Sequence, residues 1–319
     1  MLKTLLAIAG AMVATAARAE PVPVAPGVTM IPGTSQPGRQ PDSNSILIDA
    51  PGGLILIDTG RHKPHQDAIL DLARARAKPI AIIFNTHWHL DHSGGNAEIR
   101  AAFPQAPLYA STAIEGALRG FLPKSRASAE EYLKSGEATA EIREDIALDF
   151  AAMDDPASLR PTVPVTTSRP MALAGRKLDV HLAPFAATEG DVWLLDRKTK
   201  VLVAGDLVVA AAPYFDTACP EGWRKALKEI AAQDFRTLVP GHGDPMTKAQ
   251  FLDWQRAFAN LLDCAASSAT TASCIAGWMR DAAQFIPAGK GRIDGLIGYY
   301  LDNRLRAAPA ERDRYCKPQ

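Results

Sequence analysis

The segment Thr86-His87-Trp88-His89-Leu90-Asp91-His92-Ser93-Gly94-Gly95-Asn96 places three imidazoles and a carboxylate within six consecutive positions. Imidazole nitrogen and carboxylate oxygen suit zinc, and the cluster uses three of the chain's seven histidines. It follows the apolar run Ile80-Ala81-Ile82-Ile83-Phe84, which reads as a buried strand. A strand ending in a short loop can fan alternate side chains around one point, so the expectation is a metal site at its carboxyl end. A polar surface loop has no reason to gather these residue types there.

The elements around this loop follow from periodicity. Residues 45–49 and 54–58 flank Pro51-Gly52-Gly53 and read as a hairpin whose strands are buried on both faces. Asp58-Thr59-Gly60 closes the second strand, residues 66–77 carry a helical pattern, and Pro79 marks the break before the next strand. A short helix is expected over 96–103 and a strand over 108–110. From about 112 to 157 the text turns charged and alanine-rich: Ser128-Ala129-Glu130-Glu131 opens a helix and 142–153 continues helically. This inserted segment either covers a site or packs on the core. Strands over 178–182, 192–195 and 201–204 follow, the last ending in Gly205-Asp206, then a helix over 222–233, a strand over 237–239 and a loop Pro240-Gly241-His242-Gly243. Both halves therefore place Asp or His at the carboxyl ends of strands, where open α/β sheets assemble sites. Helices are expected over 251–262, 276–285 and 292–308.

Lys3, the apolar core from Leu5 to Ala14 and Ala17-Arg18-Ala19 before Glu20 read as a secretory signal peptide over residues 1–19. The run is too short for a membrane anchor, which needs about 20 apolar residues. Losing Lys3 and Arg18 from 35 basic residues leaves 33 against 35 acidic, a net charge of minus two, so nothing draws the chain to nucleic acid or anionic lipid. Export permits disulfides. Cys264 and Cys274 flank the Ser/Thr-rich turn between two helical patterns and are the favoured pair, which leaves Cys219 for Cys316. No CxxC spacing suggests metal ligation by sulfur.

The succession of Asp58-Thr59-Gly60, His87-x-His89-x-Asp91-His92 with Gly94-Gly95-Asn96, Gly205-Asp206 and Gly241-His242 resembles the metallo-β-lactamase superfamily over residues 28–246. The resemblance implies an αββα sandwich, here with a helical insertion at about 112–157 and a helical C-terminal extension. Domain limits follow as 20–250 for the fold and 251–319 for the extension. It further implies one zinc on His87 and His89, a second on Asp91, His92 and His242, and Asp206 between the two. Asp91 is then also the catalytic residue, bonding a metal-bound hydroxide and returning a proton to the leaving group. Asp58 is expected to orient a ligand imidazole or simply to close its strand.

One position departs from the family. Superfamily members carry a further histidine in a Gly-His-Thr-x-Gly-type loop, and the corresponding text here is Pro184-Phe185-Ala186-Ala187-Thr188-Glu189-Gly190-Asp191. Ala187 cannot ligate. The first zinc either survives on two histidines, a carboxylate and water, or recruits Glu189, Asp191 or His181, or binds weakly, so one or two metals per chain are expected. His62 and His65 are expected at a helix start, and Trp88 is expected to pack.

The expected activity is zinc-dependent hydrolysis of an ester, thioester, lactone or similar small molecule. A β-lactamase is the alternative, although Asp206 stands where such enzymes carry Cys or His and no Lys follows within Leu207-Val208-Val209-Ala210. A nuclease would need a basic face. A non-catalytic periplasmic accessory protein is the reading from a different class. The resemblance extends to exported members grouped with quinoprotein or sulfur-oxidation systems, so a periplasmic redox partner is a further expectation.

Overall fold

The computed structural model describes residues 20–36, 38–287 and 293–318. The leader expected over residues 1–19 and Arg292, the expected start of the last helix, lie outside them. Seven strands form the first sheet in chain order: β1 Val22–Ala25, β2 Val28–Ile31, β3 Ser45–Ala50, β4 Gly53–Ile57, β5 Ile80–Phe84, β6 Leu108–Ala110 and β7 Val163–Pro164. Pairing is antiparallel up to β4 and parallel from β4 to β7. The second sheet runs β8 Arg169–Leu173, β9 Arg176–Pro184, β10 Gly190–Asp196, β11 Val201–Val209, β12 Thr237–His242 and β13 Met246–Thr247. Within it β11 and β12 pair in parallel, and the other neighbours are antiparallel.

Alternate side chains of a strand point to opposite faces, and a strand apolar throughout therefore needs a cover on both. In β4, Ile55 and Ile57 enter the core between the sheets with Phe84, Val180, Leu194 and Val203. Leu54 and Leu56 point the other way, into a layer with Ile69 and Ile99. That layer is made by α1 Lys63–Ala75, with α2 Leu90–Ser93 and α3 Asn96–Ala102 following β5. Each such buried aliphatic side chain contributes roughly 1.5–3 kcal/mol. Four helices lie between β6 and β7: α4 Ile114–Arg119, α5 Phe121–Ser135, α6 Ala140–Asp154 and α7 Pro156–Leu159. Ile114, Ala117, Leu122 and Leu159 of this group pack on Trp88 and Leu90 of the histidine loop.

The outer face of the second sheet carries α8 Pro220–Ala231, α9 Lys248–Ala266, α10 Thr271–Asp281 and α11 Ile293–Tyr300, and the short α12 Pro309–Arg312 follows. Trp193, Leu195 and Leu202 of the sheet share one core with Trp223, Trp254, Phe258 and Trp278 of these helices. The architecture is thus α/β, an αββα sandwich with helices between β6 and β7 and after β13. The two disulfides join Cys219 with Cys316 and Cys264 with Cys274, as spacing suggests. Among the described residues no helix is long and apolar enough to cross a membrane.

Several boundaries differ from the sequence reading. α5 starts at Phe121 rather than Ser128. Pro123 falls in its first turn, where an amide proton would be unpaired anyway, so it does not break the helix. β11 runs past Gly205-Asp206 to Val209, and β12 includes Gly241 and His242, expected in a loop. Irregular register between β11 and β12 at these residues carries the pairing through. The segment with Pro21, Pro23 and Pro26, for which no strand is expected from the sequence, contains β1, and β1 lies at the sheet edge, where proline is tolerated.

The start of α1 is tied to α6 by charge. His62 Nδ1 lies 2.9 Å from Asp42 Oδ2 and its Nε2 lies 2.9 Å from Asp145 Oδ1. Arg39 adds a 2.8 Å bond from Nε to Asp145 Oδ1. Burial opposes the charge on His62, but Asp42 and Asp145 outweigh it and hold the imidazole above its ordinary value. Asp42 is held down at about 2, against the penalty of burial, by His62 and His65. A folded-state pKa above the unfolded 6.5 means that the stabilisation is complete below pH 6.5 and is lost as pH rises through the folded value. Amides of α6 are therefore expected to exchange faster at pH 8.5 than at pH 6 after correction for intrinsic rates, and His62→Gln is expected to abolish the difference. Identical corrected rates in the wild type would contradict the tie.

Candidate metal centre

Three strand ends and the interior of a fourth strand meet at one edge of the sandwich. Asp58 follows β4, the histidine loop follows β5, Asp206 lies in β11 and His242 ends β12. The sheets are stitched there by Val192 N donating to Thr86 O (2.7 Å). Asn44 adds bonds from Nδ2 to Pro240 O (2.9 Å) and Gly243 O (2.8 Å). Gly241 is required at this junction, since a Cβ there would collide with Asp206 Oδ1. Gly205, at φ 54°, lies against Thr86, where a side chain would meet both a left-handed backbone and the threonine.

The six residues singled out by sequence come together in two groups, His87 with His89 and Asp206, and Asp91 with His92 and His242. Asp206 also touches the second group: its Oδ1 lies 3.1 Å from His92 Nε2 and 3.4 Å from His242 Nε2, and its Oδ2 lies 3.9 Å from His87 Nε2. Asp91 Oδ2 is 3.0 Å from His242 Nε2. His87 Nε2, His92 Nε2, His242 Nε2 and Asp206 Oδ1 are buried and make no hydrogen bond of good geometry. Such orphaned donor atoms are expensive in a packed interior, and a divalent cation among them would satisfy all four. The donor set, imidazole and carboxylate with no sulfur, fits zinc. Burial opposes the charges on Asp91 and Asp206, yet the surrounding imidazoles, His92 and His242 foremost, hold both carboxylates ionised.

Hydrogen bonds behind the imidazoles decide which nitrogen faces the centre. Asp58 Oδ2 lies 2.7 Å from His92 Nδ1, and the carboxylate also accepts from Thr86 N and Thr86 Oγ1, both at 2.7 Å. A carboxylate only accepts, so His92 Nδ1 carries a proton, and the neutral imidazole that a metal requires would present its lone pair on Nε2. Thr86 Oγ1 spends its proton on Asp58 and accepts from His87 Nδ1 at 3.1 Å, which turns His87 Nε2 inward. Asp58 thus orients two imidazoles, and its φ of 58° is a strained conformation retained at this point. Asp58→Asn would set an amide N–H against donors. A loss of about 10- to 100-fold in zinc affinity is expected by competition with a chromophoric chelator, and unchanged affinity would refute the role.

The first group contains three donors, and none of Glu189, Asp191 or His181 joins it. Asp191 is pushed up to about 7 by burial and accepts from Thr188 N (2.8 Å) and Thr188 Oγ1 (3.1 Å). His181 stacks on Trp193 with ring centroids 3.7 Å apart. Glu189 lines a small cleft behind Trp88 with Thr217. His181→Ala is accordingly expected to retain wild-type zinc content by elemental analysis. Of the remaining histidines, His65 bonds Ser45 Oγ through Nε2 at 2.8 Å and His62 bridges to α6, so neither is in the donor groups.

The mouth of the centre is a cavity of about 340 Å³. Trp88, Phe121, Leu122 and Met153 form an apolar wall, while Arg61, Asp149, Tyr214 and Tyr300 supply polar groups. Arg61 is engaged by Asp149 at 3.2 Å and by Gln40. Burial pushes Asp149 up to about 6, with Arg61 acting against it. Tyr214 sits edge-on to His242 at 6.0 Å between ring centroids. Tyr214, Arg61 and Asn44 carry no motif, and no spacing in the sequence singled them out.

Fold and site together define a member of a metal-dependent superfamily. The sequence signature of the metallo-beta-lactamase superfamily matches residues 38–242, more than half of the chain, and the chain belongs to it. A linear primary-alkylsulfatase from Pseudomonas sp. is 25% identical over 224 residues, 63% of this chain and 41% of the relative. A hydroxyacylglutathione hydrolase from Bdellovibrio bacteriovorus is 32% identical over 100 residues, 30% of this chain and 35% of the relative. The chain spans less than half the length of the curated relatives it matches. Among solved structures, a metallo-beta-lactamase from Pontibacter korlensis superposes with a TM-score of 0.55 at 19% identity, covering 76% of this chain and 99% of that one. The sec-alkyl sulfatase PisA1 superposes at 0.63 with 17% identity, covering 88% and 50%. These similarities define the fold.

Proposed function

We propose that the protein is an exported zinc hydrolase that cleaves a small ester-type substrate carrying an apolar arm. The observation that carries this reading is the convergence of buried donor atoms without hydrogen bonds around Asp206, which lines an aromatic-walled cavity together with His89 and Asp91. Residues His87, His89 and Asp206 would hold one zinc and Asp91, His92 and His242 another, with Asp206 serving both. Bound zinc supplies a Lewis acid that lowers the pKa of water to about 7 and polarises the scissile group. Asp91, on the rim of the cavity, accepts a proton from the attacking water and returns it to the leaving group. Asp58 and Thr86 keep the imidazoles aimed, and the wall of Trp88, Phe121, Leu122 and Met153 excludes water and holds the apolar arm.

Two substrate chemistries share that description. The hydroxyacylglutathione hydrolases among the relatives favour a thioester, and the alkylsulfatase favours an alkyl sulfate, whose long arm suits the same wall. Two disulfides in the fold support export to an oxidising compartment, with the leader directing it. The test is elemental analysis of the purified full chain with a panel of thioester, lactone, carboxylic ester, alkyl sulfate, phosphodiester and β-lactam substrates. At least one zinc per chain and turnover of an ester-type member are expected. Less than one metal per chain with no turnover would overturn the enzyme.

A further inference from the structure

We infer that Thr217 positions His89 for metal, at the place where this chain carries Ala187 instead of a histidine. The inference rests on the metal centre proposed above. Thr217 is 1% exposed, and its hydroxyl makes two bonds: Oγ1 lies 3.1 Å from the Ala187 carbonyl and 2.9 Å from His89 Nε2. A backbone carbonyl can only accept, so the single hydroxyl proton goes to Ala187. Toward His89 the oxygen is then an acceptor, and Nε2 must carry the proton. The neutral imidazole is left with its lone pair on Nδ1, the nitrogen available to the centre. The logic matches that of Asp58 with His92, but the acceptor here is a neutral hydroxyl.

The threonine is held from the C-terminal side. It lies in the segment between β11 and α8, where Asp216 accepts from Tyr300 Oη through its carboxylate and from Arg304 Nη2 through its carbonyl at 2.9 Å. Arg304 Nε also bonds Phe215 O at 3.1 Å, and Cys219 is joined to Cys316. His89 is aimed by a hydroxyl that the C-terminal helices secure, which gives those helices a part in building the site.

Two measurements on the full chain test this. In metal-free protein, long-range proton–nitrogen correlation spectra are expected to show His89 as the Nε2–H tautomer in the wild type and in Thr217→Ser, and to lose that preference in Thr217→Val. In zinc titrations against a chromophoric chelator, Thr217→Val is expected to weaken one equivalent by about 10- to 100-fold while leaving a tighter equivalent in place, and Thr217→Ser is expected to stay within about threefold of wild type. An Nδ1–H tautomer in the wild type, or zinc uptake by Thr217→Val equal to wild type, would overturn the positioning role alone. A wild-type chain that takes up no zinc would overturn the metal centre and this role with it.

Discussion

Asp206→Ala is expected to leave the protein folded and nearly free of zinc. Its carboxylate reaches imidazoles from both donor sets, at 3.1 Å from His92 Nε2, 3.4 Å from His242 Nε2 and 3.9 Å from His87 Nε2. Without it the first set falls to two imidazoles, and the second loses a neighbouring negative charge in a site where water screens little. An affinity loss of at least about 100-fold is the expected result, the upper end of what a group merely supporting a ligand costs. Turnover of any substrate found by the panel should fall with it. Asp206→Asn keeps the volume and removes the charge, which separates a charge effect from a packing effect. Equilibrium dialysis with elemental analysis provides the measurement, and wild-type stoichiometry in both variants would remove Asp206 from the centre. Asp91→Ala and His242→Ala are expected to lose zinc as well.

The second large effect concerns stability. Cys219–Cys316 spans 97 residues and Cys264–Cys274 spans 10. In the chain-entropy account a closed loop of about 100 residues stabilises by about 4.7 kcal/mol and one of about 15 residues by about 3 kcal/mol. Against a typical total of about 5–15 kcal/mol, the long link is a large share. It also pins the C-terminal segment beside the stretch that carries Tyr214, Asp216 and Thr217. The double variant Cys219→Ser with Cys316→Ser is therefore expected to show the greater fall in denaturant midpoint, and Cys264→Ser with Cys274→Ser the smaller. Equal falls would show that local packing, and not loop length, sets the contribution.

Much of the scaffold is legible without coordinates because strands buried on both faces are apolar throughout. β4 and β5 read in this way, and the helices flanking them carry a clean periodicity. The stretch from Phe121 was harder to read. Pro123 looks like a breaker until its place in the first turn of α5 is known, since that place decides whether its missing amide proton costs anything. β11 likewise reads as ending at Gly205-Asp206. Only its irregular pairing with β12, with Gly205 in the left-handed region against Thr86, carries the strand onward and delivers Asp206 to the centre.

By itself the sequence singled out the candidate donors His87, His89, Asp91, His92, Asp206 and His242, in residue types whose chemistry is local, together with the absence of an imidazole at Ala187. It favoured the cysteine pairing that the structure contains, Cys264 with Cys274 and Cys219 with Cys316. Tertiary structure alone decided how those donors are aimed, because the choice of nitrogen on each imidazole depends on acceptors distant in the chain. Asp58 lies 34 residues from His92 and Thr217 lies 128 residues from His89. A hydrogen bond across such a separation leaves no periodicity and no spacing in the text, and only the packing of the two sheets and the C-terminal helices brings its partners within 3 Å of each other.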